Sequence, residues 1–260
     1  MLLFRNNEMR AKFLVDMHGI DVLTQLIQTP NSTLFRCAIM ALSHQARCLQ
    51  LTPSDWEDSV DGGLSASHRL HDSDDGDVVF ILDDGSRVDA SRQIVSHSSD
   101  VFAAMFGGGF RESTEHEVRI PAAESGAFQT MVAWLYGRTV TFEVKDGPSP
   151  ALDELCELLS LLHRFQIRES VRRRFLLAPL ITAVFNGDLY DGKFARVYRL
   201  FSVYDDMCGL RRDFVVSVFT RQMSLQRRCA AVTSVMSANA QCDVEEFVSI
   251  ITGAFLDAIS

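Results

Sequence analysis

The chain has 260 residues, with 25 Lys and Arg against 34 Asp and Glu, so its formal net charge is −9. Apolar residues make up 47% of the sequence, which argues against a disordered regulator because enough apolar surface exists to offset the loss of chain entropy. A pI near 5.2 argues against a protein that tracks nucleic-acid phosphates, and no apolar run approaches the ~18 residues of a transmembrane helix.

The cysteine pattern and the N-terminus indicate a reducing compartment, either cytoplasm or nucleus. No C-x-x-C pair is present, and thiols within apolar helical patterns are expected to be small core residues. The first residues, MLLFRNNEMRAKFLV, carry charges within their apolar part, so they do not resemble a signal peptide. The six cysteines are Cys37, Cys48, Cys156, Cys208, Cys229 and Cys242.

Residues 1–51 have the pattern of a helical hairpin. Gly19 is expected to end one helix as a C-cap, Pro30 interrupts the pattern, and Asn31 or Ser32 can cap the next helix. Ile20, Leu23, Leu26 and Ile27 share a face of the first helix, and the second helix carries a stripe of Leu34, Ala38, Ala41, Leu42 and Gln45.

This hairpin resembles an armadillo repeat, in which a Gly-Ile start and a Leu-rich helix are followed by an Ala-rich helix. Any two-helix hairpin is the alternative. Because a single repeat cannot bury its own apolar face, we expect the segment to be the end of a longer or truncated solenoid.

Residues 52–76 are predicted to be an acidic, flexible linker, since seven carboxylates accompany serines and glycines without apolar periodicity. His68 and His71 have a spacing that would suit a metal ion. No third ligand lies nearby, so we predict no metal site there.

Ordered structure is expected to return at Asp77. A short apolar run predicts a strand over 78–82, followed by a turn and an alternating returning strand over 87–90. A third short strand is predicted over 117–120, and β-branched residues predict a fourth over 139–142. Ile94 and Val95 lie in a first helical segment, and Ser98 or Ser99 is expected to cap a second that stops at the glycines of 107–109. Two further helices have inner faces formed by Phe128, Met131, Val132 and Leu135, and by Leu152, Leu155, Leu159 and Leu162.

The segment 77–178 resembles a BTB/POZ domain. The main elements of that family all have counterparts here. They are an opening Asp with its strand, a Ser followed by a Phe-x-x-Met-Phe helix, an apolar-x-Glu element, a Phe-led helix that ends in Leu-Tyr, and a Leu-Leu helix. Ser91 stands where the family commonly has His, and Gly137-Arg138 replaces a usual Thr-Gly. The matching residues are Asp77-Val78-Val79-Phe80, Ile94-Val95, Ser99, Phe102 through Phe106, Phe110-Arg111-Glu112, Val118-Arg119-Ile120, Phe128 through Tyr136, Leu158-Leu159, Phe165 and Ile167.

Residues 179–260 are helical by pattern and resemble the BACK-type extension that follows many BTB domains. The predicted fold is therefore α+β, with a small sheet flanked by helices, an N-terminal armadillo-like hairpin and a C-terminal all-α extension. This order of segments resembles the armadillo repeat-containing protein five family. The three helical stripes are Phe194, Val197, Phe201 and Tyr204; Leu210, Phe214, Val218 and Phe219; and Val244, Phe247, Val248, Ile251 and Phe255.

No catalytic chemistry is indicated, and we predict neither a cofactor nor a catalytic residue. The sequence contains no G-x-S-x-G elbow, no G-x-x-x-x-G-K-[ST] loop and no H-E-x-x-H helix. His97, His116 and His163 fall on separate elements, where surface or hydrogen-bonded histidines are expected more often than a relay. A non-enzymatic adaptor or scaffold is therefore predicted.

The resemblance implies that the apolar-x-Glu element docks on cullin-3, the scaffold of a class of ubiquitin ligases. Phe110 would fill an apolar pocket of cullin-3 and Glu112 would cap or pair with a partner helix, with Met105 beside them. The alternative is that Phe110 packs onto its own domain and Glu112 only helps the chain leave the helix. Phe165 lies at an aromatic position of the family and would either line the same surface or pack in the core. BTB domains also pair through the helix that holds Ile94 and Val95.

The predicted function is thus a substrate-recruiting adaptor of a cullin-3 ubiquitin ligase, and the alternative is a dimerisation scaffold without a ligase role. The expected partners are cullin-3, a second copy of the chain, and an unidentified protein substrate. The resembled family suggests a subunit of the transcription machinery as that substrate. We expect no nucleic acid and no membrane among the partners.

Overall fold

The computed structural model describes residue 9 and residues 12–30, 32–51, 76–138, 150–185, 193–237 and 241–259. They contain a three-stranded sheet and a series of helices. In chain order these elements are α1 (Gly19–Leu26), α2 (Thr33–Cys48), β1 (Val78–Leu82), β2 (Arg87–Ala90), α3 (Arg92–Ser98), α4 (Asp100–Phe106), β3 (Glu117–Ile120), α5 (Ser125–Leu135), α6 (Pro150–Arg164), α7 (Glu169–Phe185), α8 (Lys193–Val203), α9 (Cys208–Thr220), α10 (Leu225–Met236) and α11 (Gln241–Asp257).

The chain divides into two compact units. One, called here the sheet unit, is Trp56–Ala183, and the other, called the helical unit, combines Met1–Asp55 with Val184–Ser260. The helical unit therefore joins both ends of the chain. The sheet unit contains the whole segment in which the sequence predicted a sheet flanked by helices.

The sheet has the order β2-β1-β3, so the most apolar strand lies at its centre. β1 pairs antiparallel with β2, placing Phe80 opposite Val88, and parallel with β3, placing Phe80 opposite Val118. The turn between β1 and β2 uses Gly85, whose φ of +83° favours glycine. The three strands have the bounds that the sequence predicts.

Aromatic side chains form the core beneath the sheet. The ring of Phe80 lies 5.2 Å from that of Phe102 and 5.4 Å from that of Phe128, and all three side chains are fully buried. Phe165 stacks on Phe102 at 4.7 Å between ring centroids. Rings at these separations contribute more than their buried area alone, so this cluster is a main source of the unit's stability.

Ser99 links helix α4 to the segment that follows α6. Its hydroxyl oxygen accepts a hydrogen bond from the Phe102 N–H at 3.0 Å, which caps α4 as predicted. The same hydroxyl donates to the Phe165 carbonyl at 2.5 Å, and Ser99 forms a bridge with Ile167. Ser99 thus accepts a free backbone N–H at the start of α4 and also holds Phe165, the aromatic residue that completes the core.

In the helical unit, α2 packs against α9 and α10, whereas α1 packs against α11. Apolar residues from both ends of the chain therefore share one core. Arg228 is buried within it and donates hydrogen bonds to the carbonyls of Phe219 and Arg221, at 2.8 and 2.7 Å. Burial lowers the pKa of Arg228.

Two details of the N-terminal hairpin differ from expectation. Gly19 begins α1 instead of capping an earlier helix, and His18 before it takes the left-handed conformation. A Cβ at Gly19 would lie 2.6 Å from the Phe13 carbonyl oxygen, which explains the glycine. Leu34 is exposed, because α2 turns Phe35 inward instead. Ser32 caps α2 by accepting the Phe35 N–H at 2.9 Å.

Several predictions lie outside the described residues. These are the linker over 52–75 with His68 and His71, the strand over 139–142, and Asn31 as a cap. Of the cysteines with described side chains, Cys156 is buried, but Cys37 and Cys208 are exposed, so the expectation of core thiols was wrong for these two. No helix of the described ranges is both long enough and apolar enough to span a bilayer.

Candidate protein-binding site

Three glycines determine how the chain leaves α4. The Gly107 N–H donates to the Ala103 carbonyl at 2.8 Å and ends the helix. Gly108 and Gly109 then have φ values of +119° and +93°, in a region that side chains disfavour. This backbone reversal directs the chain out of the core just before Phe110.

Phe110 stands at the start of the one-turn 3₁₀ helix Arg111–Ser113 and is 60% exposed. Its carbonyl accepts hydrogen bonds from the Ser113 N–H at 3.1 Å and from the Ser113 hydroxyl at 2.6 Å. An aromatic ring is thus presented to solvent from a backbone that is fixed by hydrogen bonds. At 60% exposure, the Phe110 side chain is not part of the core of the sheet unit.

Arg92, at the start of α3, holds the segment after Phe110 in place. Its guanidinium donates to the Ser113 carbonyl at 2.8 Å and to the Glu115 carbonyl at 2.5 Å. The same guanidinium lies 5.4 Å from the centre of the Phe106 ring. Its Nε is buried without a hydrogen-bond partner among the described residues.

The backbone of Arg92 is also fixed, since its N–H donates to the Asp77 carboxylate at 2.7 Å. The sequence pattern did not predict a role for Arg92. An arginine after Ser91 at the start of an apolar helix carries no signal that it reaches a turn some 20 residues later. Only the tertiary structure identifies it as the support of the Phe110 turn.

The other residues predicted near Phe110 are only partly accessible. Glu112 is half-buried, and within the described residues its carboxylate makes neither a hydrogen bond nor an ion pair. Met105 is half-buried in α4, which contacts the turn Arg111–Ser113. Beside them, Arg111 and Glu115 form an exposed ion pair at 2.8 Å. The surface thus combines one exposed ring with an available carboxylate.

The structure removes two residues from the predicted surfaces. Phe165 is 3% exposed and stacks in the aromatic core, so of the two alternatives the structure shows core packing. Val95 is fully buried, so its side chain is not at the surface where a second copy of the chain would contact it. Ile94 next to it is half-buried and still reaches the surface.

The histidines considered for chemistry lie on different elements. His97 and His116 are exposed and His163 is half-buried. Among the residues that the structure describes, no group of three or more His, Cys, Asp or Glu side chains is arranged to hold a metal ion.

The comparisons with known proteins agree with this geometry. Residues 68–174 match the BTB/POZ domain family. Over 119 residues, 45% of this chain and 16% of the relative, the sequence is 33% identical to mouse Rho-related BTB domain-containing protein 1. Over 88 residues, 34% of this chain and 11% of the relative, it is 38% identical to human Rho-related BTB domain-containing protein 2.

A plant protein is also similar. The ARM repeat protein interacting with ABF2 from Arabidopsis thaliana is 33% identical over 98 residues, which are 36% of this chain and 14% of that protein. The chain thus covers less than a fifth of the length of each of these relatives. The armadillo-like identity of 1–51, the BACK-like identity of 179–260 and the likeness to the armadillo repeat-containing protein five family stay predictions.

The family match and the structure agree on what this segment is. The structural features that agree with the match are the sheet topology, the capped α4 helix and the exposed aromatic turn. A domain of this family supports a role in protein–protein interaction. Residues 68–174 of this chain are a BTB/POZ domain.

Proposed function

We propose that the chain is a substrate-recruiting adaptor of a cullin-3 ubiquitin ligase, and that its BTB domain binds the cullin-3 scaffold through Phe110. The observation that supports this proposal is the exposed ring of Phe110 on a hydrogen-bonded turn. The names of the curated relatives contain no reference to cullin-3. The proposal therefore depends on the geometry of this turn and on the resemblance to the BTB family.

The exposed ring offers enough area to anchor a partner. A phenylalanine side chain buries roughly 200 Å², so the 60% that is exposed corresponds to about 120 Å². At about 25 cal/mol per Å², burying that area on binding contributes on the order of 3 kcal/mol. Because the turn is already ordered, little conformational entropy is lost on docking. Glu112 supplies a carboxylate for a donor on the partner.

The proposed mechanism is proximity. An adaptor that holds a substrate near the ligase raises the effective concentration of substrate lysines at the charged E2 enzyme. Such an adaptor contributes no acid, base or nucleophile, so we propose a non-enzymatic role in the cytoplasm or nucleus. The substrate is a protein of unidentified type.

The test is capture of purified cullin-3 by the full chain. We expect the wild type to bind, and the double variant Phe110→Ala with Glu112→Ala to lose at least about thirtyfold in affinity, as for a typical anchor residue. Leu34→Ala is the matched control, because Leu34 is 59% exposed but belongs to the helical unit. Equal binding by the wild type and the double variant would refute the docking role of Phe110.

A dimerisation scaffold without a ligase role is the second candidate. The half-buried Ile94 on α3 favours it, since that side chain is still available to a two-fold interface. Light scattering on the same samples separates the two functions. A wild-type chain that is dimeric but captures no cullin-3 would support the scaffold and exclude the adaptor.

A further inference from the structure

Helix α2 of the helical unit has a second apolar face besides the one that it buries. Phe35, Ala38 and Leu42 are buried on its inner side, where α2 packs against α9 and α10. A surface helix ordinarily carries charged and polar side chains on its other side. Here that side contains a set of mostly apolar, exposed or half-buried residues, called the outer face of α2: Leu34, Cys37, Met40, Ala41, His44 and Cys48.

The outer face has the spacing of a helix-packing seam. Positions 34, 37, 41, 44 and 48 are separated alternately by three and four residues, which keeps their side chains in one stripe along the helix. Leu34 at its start is 59% exposed, and at its end the Cys48 Sγ lies 3.7 Å from the His44 Nδ1. The small side chains of Cys37 and Ala41 allow another helix axis to come close. The stripe therefore suits a second helix lying along α2.

Two exposed arginines, Arg36 and Arg47, border this stripe on the side of Met40. Eleven positions advance about 16 Å along a helix and complete about three turns, so the two side chains leave α2 in nearly the same direction. Within the described part of the chain, neither arginine has a carboxylate partner. The Nε of Arg47 donates to the Ser43 carbonyl of its own helix at 3.3 Å, which leaves its two Nη groups for another acceptor.

The local charge around the outer face is positive. Residues 22–54 contain no Asp or Glu, although the whole chain has 34. Burial, and then the charge of Arg47, lower the pKa of Arg228 on α10, so Arg47 lies near a second cation. The outer face of α2 is thus an apolar stripe with a basic border, in a chain whose net charge is −9.

These charges distinguish between possible occupants. A second copy docked through the same face would bring the arginines of both copies together without a carboxylate from 22–54 to balance them. A nucleic acid would have no use for the apolar stripe, and a net charge of −9 repels its phosphates. A helix with an apolar stripe of its own and carboxylates along one edge matches both the stripe and its border.

We propose that the outer face of α2 binds an acidic amphipathic helix of a partner protein. Apolar residues of that helix, alternately three and four positions apart, pack on the stripe from Leu34 to Cys48. Its carboxylates, about eleven positions apart on one edge, pair with Arg36 and Arg47, as charges beside a seam do in coiled coils. This proposal does not depend on cullin-3 binding by the BTB domain.

The experiment selects helical peptides of about 20 residues, long enough to follow the outer face, from a phage-displayed library against the full chain. Fluorescence anisotropy then measures the binding of the recovered peptides. We expect a class of peptides with an apolar stripe at seam spacing and Asp or Glu on one edge. Arg36→Glu with Arg47→Glu should weaken their binding at least about tenfold, and Leu34→Ser, which leaves the charge unchanged, should weaken it as well.

A charge exchange tests the pairing itself. A peptide of this class in which the edge carboxylates are replaced by Lys should bind the wild type weakly. It should bind the variant Arg36→Glu with Arg47→Glu more tightly than it binds the wild type, because the opposite charges face each other again.

The matched control is Arg119→Glu with Arg168→Glu, which changes the net charge equally at two exposed arginines of the sheet unit. Peptide binding should stay near the wild-type level in this control. Circular dichroism confirms the folding of each variant. Cullin-3 capture should be unchanged in every α2 variant, which keeps this test separate from that of Phe110.

Three results would overturn the proposal. The first is that no acidic peptide of this class is recovered, or that α2 and control variants weaken its binding equally. The second is a wild-type dimer by light scattering that Leu34→Ser dissociates, since the face would then belong to a second copy. The third is tight binding of a single-stranded oligonucleotide that Arg36→Glu with Arg47→Glu abolishes.

Discussion

Arg92→Met tests whether one half-buried arginine holds the Phe110 turn in place. The substitution keeps an unbranched chain that can lie against Phe106 but removes the two donors to the carbonyls of Ser113 and Glu115. Hydrogen bonds from a charged donor contribute about 1.5–3 kcal/mol each, so their loss costs at least about 3 kcal/mol of local stability. Opening of the turn should then become roughly a hundredfold more frequent.

Amide hydrogen exchange measures this opening directly. The N–H groups of Ser113, Thr114 and Glu115 bond within the turn, to the carbonyls of Phe110 and Arg111, and they report on its closed state. We expect these three amides to exchange about a hundredfold faster in Arg92→Met. Arg92→Lys should lie between, because an ammonium retains the charge but lacks the planar fork that reaches two carbonyls.

Arg87→Met is the matched control. Arg87 pairs with Glu117 at 2.7 Å, close to the same segment, but both side chains are more than half exposed. Exposed ion pairs contribute little, so turn exchange should stay near the wild-type rate. Unchanged exchange at Ser113 and Glu115 in Arg92→Met would contradict our assignment of Arg92 as the support of the turn.

Two further results are expected in the sheet unit. Phe165→Ala should lower the free energy of unfolding by about 3–5 kcal/mol, since it removes a buried ring that stacks on Phe102. Phe110→Ala should leave the free energy of unfolding near the wild-type value, because the Phe110 ring is exposed. Equal denaturation midpoints for the two variants would contradict the core position of Phe165. The hydrogen bond and charge of Arg87 lower the pKa of Glu117 from its usual 4.5, so the stability from this pair is present above that pH and is lost as the pH falls through the lowered pKa. NMR titration of Arg87→Met should show that pKa rising toward 4.5, and an unmoved pKa would mean that another group lowers it.

The candidate site was only partly predictable. Phe110 and Glu112 were predicted only through the resemblance of Phe110-Arg111-Glu112 to the apolar-x-Glu element of BTB/POZ domains. The glycines of 107–109 predicted where the helix stops, because that depends on local backbone rules. Phe165 could not be assigned, since an aromatic residue after an amphipathic helix has the same pattern whether it packs inward or outward. The stacking of its ring on Phe102 decides it, and that contact joins residues far apart in the chain.

By itself, the sequence determined the local structure of this protein. Short apolar and alternating segments placed the three strands, and helical periodicity placed the inner faces of α5 and α6. Side chains that accept backbone N–H groups narrowed the caps to Asn31 or Ser32 and to Ser98 or Ser99. These features depend on neighbours within about one turn or one strand, which is why the pattern of residues specifies them.

The tertiary structure alone decided which distant segments meet. It placed β1 between β2 and β3, brought α2 against α9 and α10 in one core, and directed Arg92 to the turn after Phe110. Such contacts depend on how whole faces match in shape and on which buried polar groups find partners, and no periodicity along the chain records that choice.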